Sequence, residues 1–401
     1  MKVINFGSLN IDHSYELDHF VLPGETCLSH HYASNLGGKG FNQSVALAKA
    51  GAHVIHAGCI GVDGQSFLKV FDALNVDHKH VKVVDAPTGH AIIQLVNGAN
   101  SIIVEGGANQ LIDEQQIEDV MKEAYPGDLL LLQNETNNLP LIIQKAKERQ
   151  MKIVLNAAPM NEKIKELPLE DIGMLIVNET EAAGLVHTAT TDVDEIVTLL
   201  NQMFPHKEIV LTLGEKGSMY LFEGTIIKVP ADQVHAVDTT GAGDTFIGYF
   251  LASLMDHKSI KEALKIATSA SALAVCKKGA SRSIPDLHEV TTYRLYKKAI
   301  DLPRFQMGKI TYKKGRYNKD IPVYDETLKS YVYNFYKRGL LLEGEKPEQD
   351  LSSLDLIGTI SALSYYMRHG GLNSDTFANA INDGTIQKLD DHLHQLIETF
   401  R

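Results

Sequence analysis

LLLLQNE (129–135), KIVLNAAP (152–159), GMLIVNE (173–179) and EIVLTLG (208–214) follow one another as short apolar runs, several closing on Asn, Glu, Pro or Gly. Upstream, VINFG (3–7) and HVIHAGCIG (53–61) have the same form. Helical stretches such as GFNQSVALAKAG (40–51) and DEQQIEDVMKEAY (113–125) lie between runs of this kind. Strand, helix, strand at this spacing predicts an α/β domain whose parallel sheet is covered by helices on both faces. Ligands of such sheets bind at the carboxyl ends of the strands. The polar residues that close the runs are therefore the first candidates for a site. Segments around 15–21, 26–33, 90–96 and 101–105 are short, rich in turn residues and without long helices between them. They predict a small β-sheet extending from the main domain as a lid.

The composition changes after about residue 290. Ten of the 15 tyrosines fall between Tyr293 and Tyr366. The basic segment MGKITYKKGRYNKD (307–320) reads as a linker or hairpin, and candidate helices follow near 324–339, 353–369, 374–381 and 386–400. SSLD (352–355) offers capping residues and HGG (369–371) a stop. The expectation is one domain over 1–300 and a small, mostly helical domain over 307–401.

The 401 residues carry a net charge of −12, which argues against nucleic acid as the main partner, because a phosphate backbone calls for clustered Lys and Arg. It does not argue against a phosphorylated small molecule, which backbone N–H groups and one or two cations can hold. Cys27, Cys59 and Cys276 are far apart and odd in number, so neither a zinc site nor a disulfide framework is expected. With no apolar leader and no run of 18 apolar residues, a cytoplasmic protein with no membrane partner is expected. The 17 histidines show no H-E-x-x-H spacing and read as surface or loop residues.

DTTGAGDTF (238–246) carries the chemistry. Gly241-Ala242-Gly243 stands before a helical run, so backbone N–H groups and the helix N-terminus can converge on an anion. Asp244 in the first helical turn can accept a proton from an attacking hydroxyl. NLGGKGFNQS (35–44) again joins a Gly-rich backbone to a helix start, with Lys39 and Asn42 offering a cation and an amide. In GSLNIDH (7–13), Asn10 and Asp12 are two residues apart, so on a strand they point the same way, and an amide with a carboxylate suits vicinal hydroxyls. NETE (178–181) offers Asn178 and Glu181 to a hydrated Mg²⁺, which prefers oxygen ligands and keeps its waters. TLGEKG (212–217) is a glycine-rich strand end fit for nucleotide contact. Each segment alone is also compatible with an ordinary turn or cap.

In this order the segments resemble the ribokinase family, a branch of the phosphofructokinase-B-type carbohydrate kinases, over about residues 1–290. PGET (23–26), GGAN (106–109) and NAAP (156–159) add to the resemblance. It implies a Rossmann-type α/β fold with a small β-sheet lid, often used in a dimer contact, and so a homodimer. The activity implied is ATP-dependent phosphorylation of D-ribose at its primary (5-) hydroxyl, with Mg²⁺ required and K⁺ as activator. Asp244 would be the base, and Gly241, Ala242 and Gly243 the anion hole. Asn10, Asp12, Gly38, Lys39, Asn42 and Glu135 would hold the sugar. Asn178, Thr212, Gly214, Gly217, Gly243 and Thr268 would meet ATP, and Asn178 and Glu181 would lie near Mg²⁺. Asp238, Thr240, Gly279 and Ser283 match the monovalent-cation loop.

Two residues depart from the pattern. Thr268 stands where some relatives place a larger residue near the adenine. Phe41 stands where many carry Ala, and is expected to pack under the lid or trim the sugar pocket. A kinase of another sugar or of a nucleoside is the nearest alternative, and a non-catalytic sugar-sensing protein on the same fold is one of another class. The resemblance does not extend to the last hundred residues.

Overall fold

The computed structural model describes residues 1–97, 99–314, 320–343, 351–369 and 375–399. The chain divides into two compact units, Met1–Leu287 and His288–Arg401.

The first unit alternates strands β1 (Val3–Phe6), β2 (Asn10–Glu16) and β3 (His31–Gly37) with helix α1 (Lys39–Lys49), then β4 (Val54–Ile60), α2 (Gln65–Ala73), β5 (Asp77–Val83), β6 (Gly89–Val96) and β7 (Ala99–Glu105). After these come α3 (Glu114–Met121), β8 (Leu129–Gln133), α4 (Leu139–Glu148), β9 (Lys152–Asn156), β10 (Met174–Asn178), α5 (Glu179–Leu185), α6 (Val193–Met203) and β11 (Glu208–Thr212). The hairpin β12 (Ser218–Phe222) and β13 (Thr225–Val229) and the helices α7 (Ala242–Met255) and α8 (Ile260–Val275) complete it.

Nine strands form one sheet in the order β13-β12-β11-β10-β9-β8-β1-β4-β5. The strands from β11 to β5 are parallel, and β12 and β13 add an antiparallel edge. The central strands are buried along nearly their whole length because helices cover both faces, which is why they read as unbroken apolar runs. One face packs against α3, α4, α5 and α6 through Phe6, Leu132, Leu155 and Leu211. On the opposite face α1 lies against β1, β4 and β8, and α7 against α1. Helix α7 is apolar nearly all round and buried from Asp244 through Ser253, as an interior helix must be.

A second sheet, β3-β2-β6-β7, forms the small lid. Its first two strands do not fall at 15–21 and 26–33. The chain leaves the main sheet after Phe6, crosses in residues 7–9 and enters the lid at Asn10. The segment 18–30 is largely irregular around a Leu22–Glu25 turn. Asn10 and Asp12 therefore sit on a lid strand and not at the end of the first strand. Phe41 neither packs under the lid nor borders the pocket. It is 1% exposed, edge-on to Phe67 at 4.8 Å and 5.5 Å from Phe71, in the core between α1 and α2.

The second unit takes all but the first residue of α9 (Leu287–Ala299), a helix with no forerunner in the sequence reading. The hairpin β14 (Ile310–Lys314) and β15 (Asp320–Tyr324) follows, then α10 (Glu326–Lys337), α11 (Leu356–His369), α12 (Asp375–Asn382) and α13 (Thr385–Thr399). Within SSLD it is Asp355 that caps α11, accepting from Gly358 N at 2.7 Å. Gly370 and Gly371 of the expected stop lie outside the described residues. Leu295, Phe335, Leu363, Phe377 and Leu393 build a separate core. Inside it the fully buried Asp390 accepts from the Tyr331 hydroxyl at 2.5 Å and from Phe305 N at 3.0 Å. Among the described residues no helix is long and apolar enough to cross a membrane.

Candidate active site

Four neighbouring parallel strands end on polar residues: β8 on Gln133, β9 on Asn156, β10 on Asn178 and β11 on Thr212. Gln133 pairs with Asn156 and Asn178 with Thr212, so these ends lie in register. A cavity of about 220 Å³ opens there, bordered by Lys39, Asn156, Asn178, Glu181, Thr212 and Asp244, with Gly241 and Gly243 beside them.

Two helix starts converge on this point. Helix α7 begins at Gly241, whose φ of 76° is left-handed, a conformation that costs glycine nothing. Helix α1 begins at Gly38, with φ 93°. A Cβ there would stand 2.9 Å from Asn10 N and 3.0 Å from the Ser8 carbonyl oxygen. The N–H groups of Gly241, Gly243 and Asp244 have no acceptor among the described residues. The Ala242 N–H turns back to the Thr239 carbonyl at 3.2 Å, and Ala242 does not border the cavity.

Asp244 is 9% exposed. Asn42 Nδ2 donates to its Oδ2 at 3.0 Å and Gln43 Nε2 to its Oδ1 at 2.9 Å. Burial pushes the carboxyl above its ordinary range, while the Lys39 ammonium and these two amides pull the other way. Asn42 keeps its Oδ1 buried and without a partner. Glu135 accepts from the Ser8 hydroxyl, and from Lys39 N at 3.1 Å. Burial raises it too, against the pull of Lys39. On the lid strand, Asn10 Oδ1 accepts from Asn109 Nδ2 at 2.7 Å. The Asp12 carboxylate makes no hydrogen bond among the described residues. Burial, with Glu135 and Asp244 nearby, pushes it up to about 7. For Lys39, burial works to lower the ammonium, but the carboxylates of Asp244, Glu135 and Glu181 outweigh it and hold it above its usual value.

NETE forms a capping box: Asn178 Oδ1 accepts from Glu181 N at 2.8 Å and Glu181 Oε2 from Asn178 N at 2.9 Å. The second oxygen of Glu181 has no hydrogen-bond partner among the described residues, and burial raises this carboxyl. Gly214, Gly217 and Thr268 do not border the cavity. Thr268 is buried on α8 with its hydroxyl unpartnered. The cation-loop residues gather beside the start of α7. Asp238 Oδ1 accepts from Thr240 N at 2.9 Å and Thr240 Oγ1 at 2.7 Å, and its Oδ2 from Gly279 N at 2.9 Å. Burial opposes the charged form of Asp238, but these donors hold it below the ordinary carboxylate value. Ser283 closes the same turn, donating to the Ala280 carbonyl at 2.8 Å. Among the described residues no three His, Cys, Asp or Glu side chains cluster as a metal site.

Sequence reasoning missed Gln43 and Asn156. Both lie inside segments it singled out, NLGGKGFNQS and NAAP, but their spacing gave no sign that two buried amides would meet under Asp244.

Parallel strands ending in polar residues, a carboxylate at a Gly-rich helix start and a lid strand bearing a second carboxylate define a class: a phosphoryl-transfer enzyme acting on a polyhydroxylated substrate. The model of the pfkB family carbohydrate kinases matches residues 1–287. The chain is 37% identical over 296 residues to the ribokinase of Haemophilus influenzae, covering 72% of this chain and 96% of that one. The crystal structure of ribokinase from Cryptococcus neoformans in complex with ADP superposes with a TM-score of 0.65 at 33% identity, covering 72% of this chain and 98% of that one. Arabidopsis thaliana ribokinase complexed with ribose and ATP also gives 0.65, at 29% identity, covering 73% and 98%. The chain belongs to the pfkB family and is an ATP-dependent carbohydrate kinase.

Proposed function

We propose that this kinase transfers the γ-phosphoryl group of ATP to the primary (5-) hydroxyl of D-ribose, with Asp244 as the base. The observation that carries the reading is the meeting of Asp244, held by Asn42, with Lys39 and the N–H groups of Gly241, Gly243 and Asp244 that face no acceptor among the described residues, at one cavity. Asp12 supports a polyhydroxylated substrate, because it is a carboxylate with open acceptor positions on the strand above. Asn10, Asn42 Oδ1, Glu135 and the Gly38-Lys39 backbone complete the proposed sugar grip. The relatives named ribokinase favour ribose over other sugars.

In this reading the sugar hydroxyl gives its proton to Asp244 as its oxygen attacks the γ-phosphorus in line. The α7 N–H groups and Lys39 hold the charge that develops on the transferring group. Asn178, Thr212, Gly214, Gly217, Gly243 and Thr268 are the proposed ATP contacts. Asp12, Glu135, Glu181 and Asp244 outnumber Lys39 by four to one, so a site that also takes a triphosphate calls for further positive charge. Mg²⁺ fits that demand, and it would supply charge neutralisation on the phosphates. Glu181 would hold it through its open oxygen, with Asn178 alongside and water between. For K⁺, three donors already fill most of the roughly four acceptor positions of Asp238. Asp238 would offer the remaining one, and Thr240, Gly279 and Ser283 would shape the loop around the ion.

The exposed Tyr32, Ile92 and Ile103 on the lid support the expected homodimer contact through that sheet, and a cytoplasmic setting suits the three free cysteines. The test is ADP release by the purified protein with Mg·ATP, comparing D-ribose with 2-deoxyribose, fructose and nucleosides, with and without potassium. Potassium-stimulated turnover on ribose is the expected result. Turnover on another substrate alone would correct the sugar, and none on any would favour a sugar-sensing role.

A further inference from the structure

A buried chain of side-chain amides runs from the interior of the sheet to Asp244. Asn5 Nδ2 donates to the Gly40 carbonyl at 2.9 Å and to Ser44 Oγ at 2.8 Å. Gln133 Nε2 donates to Asn5 Oδ1 at 3.0 Å and to Gln43 Oε1 at 2.7 Å. Gln43 Nε2 donates to Asn156 Oδ1 at 3.1 Å and to Asp244 Oδ1 at 2.9 Å. Asn156 Nδ2 donates to the Ile176 carbonyl at 3.0 Å.

The direction of this chain is fixed by chemistry. A backbone carbonyl only accepts, so the Ile176 carbonyl obliges Asn156 to present its NH₂ there and its oxygen to Gln43. At the other end the Gly40 carbonyl does the same to Asn5, whose oxygen must then face Gln133. Gln133 is left with its NH₂ toward Gln43, and Gln43 with its NH₂ toward Asp244. No amide can flip without setting two acceptors or two donors face to face in a buried region, a costly arrangement. Asn5, Gln43 and Gln133 are each at most 1% exposed, and Gln43 does not border the cavity.

We infer that Gln43 is a positioning residue for phosphoryl transfer: its amide, oriented from both sides by Gln133 and Asn156, fixes the plane of the Asp244 carboxylate. The inference rests on Asp244 being the base. Asn42 holds the other oxygen, so the two donors together leave Asp244 one orientation. The charged groups facing Asp244 are Lys39 on α1, Glu135 after β8, Glu181 on α5 and Asp12 on β2. Only Lys39 among them favours the carboxylate, and the Gln43 and Asn42 donors act with it against burial.

Two variants separate positioning from bulk structure. Gln43→Met keeps the length and removes both polar ends. Gln43→Leu also removes the donor to Asp244 without adding charge, and it gives the same test if the first variant does not fold. In the full chain with ribose and Mg·ATP, each is expected to lower kcat by about 10-fold or more and leave both KM values within about 2-fold. The acid limb of the kcat–pH profile is expected to move up by about one pH unit, the equivalent of losing one hydrogen bond to a charged group. Gln133→Met should move the limb the same way in the native background and not at all when added to Gln43→Met. A folded Gln43 variant with an unmoved acid limb, or with raised KM and native kcat, overturns the inference. Asp244→Asn is run beside them: native turnover in that variant would remove the base assignment itself, whereas its inactivity beside a native-like Gln43 variant would remove only the positioning role.

Discussion

Asn42 and Asp244, 202 residues apart in the chain, meet at 3.0 Å where the first turns of α1 and α7 face each other. The two glycine-rich motifs are therefore mechanically one piece. Asp244→Asn keeps the volume but offers an NH₂ where Asn42 and Gln43 both present donors. We expect kcat to fall at least ~10²-fold, the usual contribution of general-base catalysis, with KM for ATP changed little. Steady-state ADP release checks this.

Asp12 titrates near 7 in the free enzyme. Its proposed role as an acceptor for sugar hydroxyls calls for the carboxylate, so KM for ribose should fall as pH rises from 6 to 8. The stability of the sugar-free protein should run the opposite way. A carboxyl with its folded pKa raised from 3.8 binds more protons folded than unfolded between those values. Its contribution is present below pH 4 and is lost as pH rises through about 7. Asp12→Asn should flatten both trends, raising KM while raising the apo Tm at pH 8. Kinetics and thermal melts over that range decide it.

Gly38→Ala places a methyl against backbone atoms at 2.9 and 3.0 Å and forces φ 93° on a residue that resists it. The cost should be about 1–3 kcal/mol, read from urea unfolding. Because the displaced atoms belong to Ser8 and Asn10, the KM for the sugar should rise as well.

Glu181→Gln retains a side chain able to complete the capping box with Asn178. The fold should hold while the carboxylate charge at the proposed phosphate site disappears. The Mg²⁺ concentration for half-maximal rate should increase several-fold, and a magnesium titration at fixed ATP measures it.

In the second unit His394 lies 3.4 Å from Asp390, whose hydrogen bond is the main cause of its elevation to about 9. A histidine raised in the folded state adds stability in full below its unfolded value of about 6.5, and loses it as pH rises through 9. This unit should unfold more easily at pH 9.5 than at pH 7, with Asp390→Asn weakening the difference. Tyr331→Phe should cost about 1–2 kcal/mol by removing the other short bond to Asp390. Hydrogen exchange resolved by segment can read both.

The strand ends at Asn178 and Thr212 were legible because burial on both faces enforces unbroken apolar runs, and a polar residue then marks the exit. The four late helices were legible from their periodicity, and α10–α13 fall close to the expected bounds. The first two lid strands were less legible: Gly7 breaks β1 without breaking the extended pattern, so one strand and its successor in another sheet read as continuous. Helix α9 escaped because HEVTTYRLYKK mixes charge and β-branched residues around few apolar positions. Phe41 sat in a motif read as ligand-binding, but as a bulky apolar group it turned to Phe67 and Phe71. Gln43 and Asn156 were visible as letters only. Amides joined across 113 positions carry no periodicity.

Residues 7–9 join the nine-stranded sheet to the lid, and their bonds say how the lid is rooted. Leu9 N donates to Asn109 Oδ1 at 2.9 Å, tying the outgoing strand to the turn by which the chain returns. Ser8 accepts from Phe41 N through its carbonyl at 2.9 Å, while its hydroxyl lies on Glu135. This link is thus fastened at both ends, to the returning turn of the lid and to the residues that surround Glu135, so the root of the roof and the edge of the floor share one stretch of chain.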